Sequence, residues 1–347
     1  MTVASEGESP GGRRRRSPSP DRRAIPRAAL SGTASAALRR LRLPPFVLPV
    51  GAVVAYFAIA ALAYWPVEPF SRSQLLGCAC SDPIQEVWFL AWPAFAIRHG
   101  ANPFFTTFLE YPRGVNLSVN TSMPLLGLLG APMTWLRGPV ATFNGLMRFS
   151  FAISATSMYF VVRRFTAWWP AAFLAGLLYG FSPYMVGQGF GHLFLTFVPL
   201  PPLIALCTYL LVRDAAGPGH SGAGAGDLSK ESAEGQPGVR RRTLRRGLLL
   251  GTLCGLQSFI SIEVLVTTVI CTAVVLAGAA IAQPRLALEG LAGVARGIGA
   301  AAALSLPVVA YPIWFFLRGP QHILGPPHAV SNLAPIKADL FGPVVPT

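Results

Sequence analysis

Long apolar runs most strongly constrain what this chain can fold into. Residues 143–162, 193–212 and 248–282 are each apolar enough and long enough to cross a bilayer as helices. Hydrophobic residues make up 52% of the chain and charged residues only 12%, which is not the balance of a soluble globular protein. We therefore predict an all-α fold: a polytopic bundle of about six transmembrane helices that lies in a lipid bilayer.

The net charge of +14 does not indicate a nucleic-acid partner, because the cations are concentrated in two segments. Ten of the 28 Lys and Arg residues precede residue 45, and seven more lie within residues 213–246. Lys and Arg close to membrane-spanning segments favour the cytoplasmic side. We therefore predict a multi-pass protein of the plasma membrane with its N-terminus in the cytoplasm.

Composition and charge divide the chain into five segments. They are a disordered basic cytoplasmic tail (1–44), an N-terminal membrane module (45–212) with a long external loop (66–142), a cytoplasmic linker (213–246), further transmembrane helices (247–316) and an external segment (317–347). The last segment ends without a closing polar stretch, so we expect the chain to be part of a longer one.

Two apolar stretches differ in length from a single span. Residues 124–136 are too few to cross a bilayer, so we interpret them as an interfacial or re-entrant helix of the external loop. Residues 248–282 are too many for one helix, and Ser258 to Glu263 interrupt them. This stretch predicts a helical hairpin whose tip lies on the external side.

Two carboxylates, Asp82 and Glu86, follow the first span directly. Asp82 and Pro83 suit the N-cap and first position of a helix, and residues four apart lie on one helical face. A carboxylate pair at the membrane surface can accept a proton from a hydroxyl or hold a divalent metal. The alternative is a helix cap followed by a solvated acid.

Other candidate site residues also fall on the predicted external side. Glu263 interrupts an apolar run, where an acid is costly unless it is functional, paired or able to reach water. His192 follows a glycine-rich turn and is a candidate phosphate or metal ligand, or else a packing residue. Arg98, Arg113 and Arg318 have guanidiniums suited to a lipid phosphate, although each could simply extend to the membrane interface.

Several motifs together resemble those of a group of large actinobacterial membrane proteins described as glycosyltransferases, and more loosely the GT-C superfamily of integral-membrane glycosyltransferases. The motifs are Asp82-Pro83-x-Gln85-x-x-Trp88, Asn102-Pro103-Phe104, Tyr111-Pro112-x-Gly114-Val115-Asn116, Phe181-Ser182-Pro183-Tyr184 and Gly191-His192-Leu193. The resemblance runs from about residue 45 to the end of the chain. It implies a GT-C-like fold and makes Asp82 the catalytic base or a metal ligand.

The resemblance also implies an activity. We expect a transferase that moves a sugar from a polyprenyl-phosphate-linked donor to an extracytoplasmic acceptor such as a cell-envelope glycan. Asp82 and Glu86 would be catalytic, while Arg98, Arg113, His192, Glu263 and Arg318 would bind substrate or donor phosphate. A divalent metal, Mg or Mn, is a possible cofactor, with Asp82, Glu86 and His192 as candidate ligands. The alternative is a non-catalytic membrane scaffold or a transporter-like protein.

Overall fold

The computed structural model describes residues 46–78, 81–120, 122–216 and 237–325, and helices dominate this part of the chain. The predicted tail, most of the linker and most of the final segment lie outside the described residues. The elements in chain order are α1 (Val47–Ala63), α2 (Ser81–His99), β1 (Phe105–Thr106), β2 (Val115–Asn116), α3 (Pro124–Arg137), α4 (Pro139–Arg163), α5 (Trp169–Gly180), α6 (Pro183–Gln188), α7 (Leu193–Thr196), α8 (Leu200–Ala215), α9 (Pro237–Ser258), α10 (Ile262–Ala282) and α11 (Pro284–Arg318).

Four stretches of the described residues are long and apolar enough to cross a membrane: α4, the combined α7 and α8, α10, and α11. The predicted count of about six spans is therefore not confirmed. The helix α1 has 17 residues and α5 only 12, whereas a bilayer core needs about 20. The helix α9 has 22 residues, but five arginines lie between positions 240 and 246.

The predicted all-α class agrees with a structure that is predominantly helical, and one short pair of strands is the exception. The strands β1 and β2 pair antiparallel, with Phe105 opposite Asn116. Gly114 makes this close pairing possible, because it has φ +77° and a Cβ there would collide with the Phe105 ring and the Thr106 carbonyl. Two-residue strands are too short to produce the alternating apolar pattern that identifies a strand in a sequence.

The short helix and the break predicted for the two stretches of unusual length are both observed, while their placement relative to the bilayer stays a prediction. The helix α3 has 14 residues, too few for a span. The 248–282 stretch breaks between Ser258 and Ile262, where the Ser261 hydroxyl accepts a 3.2 Å hydrogen bond from the Val264 N–H and caps α10. The loop at this break contacts the start of α3, since the Leu125 N–H donates to the Phe259 carbonyl at 3.1 Å.

Small residues allow the long helices to pack closely. Gly176 and Gly180 of α5 lie against Tyr56 and Ala155, and any Cβ at either glycine would collide with its neighbour. On the other side of the bundle, Gly247 of α9 lies against the Gly297 backbone of α11. Close approach at glycine and alanine is a common way for membrane helices to associate.

Candidate functional site at the start of α2

The helix α2 begins two residues earlier than the sequence predicted. It starts at Ser81, so Asp82 lies in the first turn and is not the N-cap. The prediction from local sequence was wrong because the Asp82 carboxylate is engaged elsewhere, with the side chain of a residue 110 positions further along the chain. The predicted common face is retained, since Asp82 and Glu86 are separated by about one helical turn.

The Asp82 carboxylate contacts the imidazole of His192. The distance from His192 Nε2 to Asp82 Oδ2 is 3.2 Å, and both side chains are partly exposed, at 34% for His192 and 49% for Asp82. The carboxylate can only accept here, so His192 donates from Nε2. The Nδ1 atom is buried with no hydrogen-bond partner among the described residues.

A glycine-rich turn brings His192 to this position. Pro83 packs directly against the turn, and a Cβ on Gly191 would lie 2.7 Å from its Cγ. Gly77 approaches from the other side: it has φ +113°, and a Cβ there would lie 2.6 Å from the Phe190 carbonyl oxygen. The next residue, Cys78, donates its N–H to the same carbonyl at 2.7 Å. These contacts join the segment between α1 and α2 to the turn before α7.

Glu86 is buried next to the Asp82–His192 pair. Glu86 is 3% exposed, and its Oε2 accepts a 2.7 Å hydrogen bond from the Leu193 N–H. Burial raises the pKa of Glu86 to about 8, the Leu193 N–H lowers it in part, and the charge of Asp82 raises it further. A carboxyl group with this pKa is mostly protonated at neutral pH and can act as an acid.

One face of α4 holds the segment that leads from α1 to this site. Asn144 accepts the Leu76 N–H and donates to the carbonyls of Ser71 and Gln74. One turn later, Arg148 is fully buried and donates from Nη2 to the carbonyls of Tyr64 and Val67, at 3.2 and 2.6 Å.

Arg148 is not among the site residues predicted from the sequence. An arginine inside an apolar span is costly unless paired, and that signal was available. The Arg148 guanidinium carbon lies 5.7 Å from the centre of the Tyr64 ring, and the Tyr64 hydroxyl donates to the Gly189 carbonyl at 2.8 Å. Arg148 therefore supports the turn before His192 through Tyr64.

The three predicted phosphate-binding arginines lie on three different elements. Arg98 lies 16 residues beyond Asp82 on α2, about 24 Å along the helix, and its guanidinium stacks on the Trp135 ring at 4.5 Å. Arg113 lies in the turn between β1 and β2, and Arg318 ends α11. These two elements pack together, since Asn116 donates to the Phe315 carbonyl at 2.9 Å.

Glu263 lies in the first turn of α10 with an exposed side chain. Its charge acts on Tyr184, in the helix α6 that precedes the glycine-rich turn. Burial raises the pKa of the Tyr184 phenol, and Glu263 raises it further. Glu263 is therefore close enough to act electrostatically on Tyr184, which lies eight positions before His192 in the chain.

The residues present do not make a conventional metal centre. Within the described ranges, no group of three or more His, Cys, Asp and Glu side chains is placed to hold a metal ion. Asp82 and His192 contact each other, but Glu86 directs one oxygen to the Leu193 N–H. The candidate ligand set of Asp82, Glu86 and His192 therefore does not fit Mg or Mn, and no step of the chemistry below uses a metal.

Gly77→Ala should disturb the site through the backbone alone. An alanine there combines an unfavourable positive φ with a collision against Phe190, so we expect a loss of about 1–3 kcal/mol in the free energy of unfolding. Gly187→Ala is the matched control, because a Cβ at Gly187 meets nothing within 4 Å. Thermal unfolding in detergent should show a lower midpoint for Gly77→Ala only. Equal midpoints would mean that the contact with Phe190 is not formed.

Comparison with known proteins leaves the family open. No protein-family model, no curated protein and no solved structure matches this chain. The fold and the apolar helices define a class: a predominantly helical protein whose described residues include four candidate membrane spans, for which a lipid bilayer is the plausible environment.

Proposed function

We propose that this protein is a membrane glycosyltransferase that moves a sugar from a polyprenyl-phosphate-linked donor to an extracytoplasmic acceptor such as a cell-envelope glycan. The observation that carries the proposal is the Asp82–His192 contact next to buried Glu86. It joins two segments that the sequence places on the same external side. The resemblance of the surrounding motifs to membrane glycosyltransferases supplies the reaction class.

The proposed step is a displacement at the anomeric carbon. The acceptor hydroxyl oxygen forms a bond to that carbon while the bond from the carbon to the donor phosphate oxygen breaks. Asp82 takes the hydroxyl proton, and polyprenyl phosphate leaves with the bonding electron pair. His192 holds the Asp82 carboxylate in position. Glu86, largely protonated at neutral pH, supplies a hydrogen-bond donor next to the reacting groups.

The activity can be measured with the purified full chain in proteoliposomes. The donor is a radiolabelled sugar on polyprenyl phosphate, and the acceptor is a preparation of envelope glycans. The proposal expects label in the glycan fraction, dependent on both the protein and the donor. Hexose and pentose donors assayed separately define the sugar class. No transfer from any polyprenyl-phosphate donor, by protein that remains folded, would reject the proposal.

One observation favours the non-catalytic scaffold instead. Glu86 and Arg148 direct their hydrogen bonds to main-chain groups, as residues that only stabilise a fold do. In a scaffold, the Asp82–His192 contact would serve the same purpose. The two functions differ in their response to Asp82→Asn, which leaves a scaffold intact and removes the charge that a transferase needs.

The proposed orientation places the turn between β1 and β2 outside and the start of α9 in the cytoplasm. Tyr111 is 85% exposed in that turn, and Arg240 is exposed near the start of α9. We expect a membrane-impermeant maleimide to label Tyr111→Cys in intact cells, and to label Arg240→Cys only after the cells are opened. The reverse pattern would invert the proposed topology.

A further inference from the structure

The first turns of α9 carry a cluster of cations away from the candidate site. Five arginines lie within seven positions: Arg240, Arg241, Arg242, Arg245 and Arg246. Arg246 is paired, since its Nε lies 3.4 Å from Oδ2 of Asp214. The other four are exposed, and none of them contacts a carboxylate in the part of the chain that the structure describes. We call these four residues the arginine patch.

The position of the arginine patch is unfavourable without a counter-ion. Arg240 lies in the first turn of α9, where the partial positive charge of a helix N-terminus repels a cation. Arg241 and Arg245 are four positions apart, so their like charges share one helical face and repel each other. An anion against the patch turns both effects into attraction. The patch therefore indicates a negatively charged ligand.

The arginine patch lies beside a candidate membrane span. Gly247 of α9 packs against the Gly297 backbone of α11, and Gly251 packs against Ala301, so the two helices run side by side in the same direction. The patch precedes Gly247 by two to seven positions and is therefore level with the residues that precede Gly297 by the same distance. These residues belong to the early part of α11, which is long and apolar enough to cross a bilayer.

One exposed face of α9 leads from the arginine patch to apolar residues. Arg241, Arg245, Leu248, Thr252 and Leu256 are all exposed and follow one another at intervals of three or four positions, a spacing that places them on one helical face. Charge comes first on this face and leucines follow, over about 22 Å. An anionic phospholipid has the same order, with a charged phosphate and then an acyl chain. A nucleic acid has no acyl chain to cover the leucines.

We propose that the arginine patch binds the phosphate headgroups of anionic phospholipids, whose acyl chains lie along Leu248 and Leu256. Guanidinium groups suit phosphate because they donate two parallel hydrogen bonds as well as carrying charge. Each arginine near an anionic lipid surface strengthens binding by about fivefold. Phosphatidylcholine binds less tightly, because its choline group cancels the charge of its phosphate. This proposal depends neither on the transferase activity nor on which side of the membrane is cytoplasmic.

Photoreactive phospholipids test the proposal at individual residues. The purified full chain is placed in phosphatidylcholine nanodiscs that contain a small fraction of a diazirine-bearing lipid, either phosphatidylglycerol or phosphatidylcholine. After illumination, adducts are mapped by mass spectrometry. We expect phosphatidylglycerol to give at least about tenfold more adducts than phosphatidylcholine between positions 241 and 256. Unlabelled phosphatidylglycerol should compete for these adducts.

Paired substitutions separate charge at the patch from charge elsewhere. Arg241→Gln with Arg245→Gln should lower the preference for phosphatidylglycerol at least about fivefold, whereas lysine at both positions keeps the charge and should keep most of the preference. Arg72→Gln with Arg137→Gln is the matched control, because these two arginines are exposed, lie outside α9 and carry the same total charge. The control should leave the preference unchanged.

Salt gives a second readout that needs no substitution. Raising NaCl from about 50 mM to about 500 mM screens exposed charges, so it should reduce the phosphatidylglycerol adducts and leave the phosphatidylcholine adducts unchanged. A preference that survives both the glutamine pair and high salt, or that falls equally in the control pair, would overturn the proposal. A short DNA or RNA duplex that displaces phosphatidylglycerol from these positions would also overturn it, in favour of a nucleic-acid site.

Discussion

Asp82→Asn should reduce sugar transfer by about 10²–10⁴-fold, the usual contribution of a general base. The substitution keeps the size of the side chain and keeps an oxygen that can accept the His192 hydrogen bond, so the helix and the contact should persist. What it removes is the charge and the basicity. The comparison is made as initial rates in proteoliposomes, with equal amounts of wild-type and variant protein.

Glu68→Gln is the matched control for Asp82→Asn. Glu68 is another carboxylate in the segment between α1 and α2, and its side chain is exposed. Its neutralisation changes the local charge by the same amount and should leave the transfer rate within about twofold, because surface changes away from a site have small effects. If the Asp82→Asn protein transfers sugar at the wild-type rate, the contact between Asp82 and His192 has only a structural role.

Glu86 should make the protein less stable as the pH rises from about 5 to about 8. Its pKa is about 8 in the folded protein and 4.5 as an ordinary value, so the folded state binds more protons than the unfolded state between these limits. The free energy of unfolding therefore falls with rising pH, by up to about 5 kcal/mol if the full pKa difference is realised. Below about pH 4.5 both states are protonated and this contribution to the slope is absent.

Glu86→Gln isolates this effect. Gln resembles the protonated carboxyl group, cannot titrate, and keeps an oxygen for the Leu193 N–H. The difference in thermal-unfolding midpoint between variant and wild type should be small at pH 5 and should grow in favour of the variant by pH 8.5. If the wild type loses no more stability than Glu86→Gln across that range, Glu86 is not protonated in the folded protein.

The individual site residues were accessible to sequence reasoning, but their contacts were not. Asp82, Glu86 and His192 stand out by residue type and by their position next to apolar runs. Their meeting depends on how the turn before α7 folds, with Gly191 against Pro83 and Gly77 against Phe190. Such packing joins segments about 110 residues apart, and helical periodicity carries no information about it. The position of Asp82 in the first turn of α2, and not at its N-cap, has the same origin.

The break between two helices was easier to predict than the number of membrane spans. The break near Ser261 was predictable because the polar residues between Ser258 and Glu263 interrupt an apolar run, and a serine can cap the helix that follows. About six spans were predicted, and apolar character alone does not set the count: the apolar helix α5 stops at Gly180 after 12 residues. Arg148, which was not predicted as a site residue, is fully buried inside α4, where its Nη2 donates to two main-chain carbonyls.

The most direct test of the site is a double-mutant cycle between Asp82 and His192. Transfer rates are measured for wild type, Asp82→Asn, His192→Gln and the double variant in the same proteoliposomes. Because the two side chains act through one contact, the double variant should lose about as much activity as the more impaired of the two single variants. This loss is much smaller than the product of the two single losses. Losses that multiply, or single variants that retain the wild-type rate, would contradict a catalytic Asp82–His192 pair.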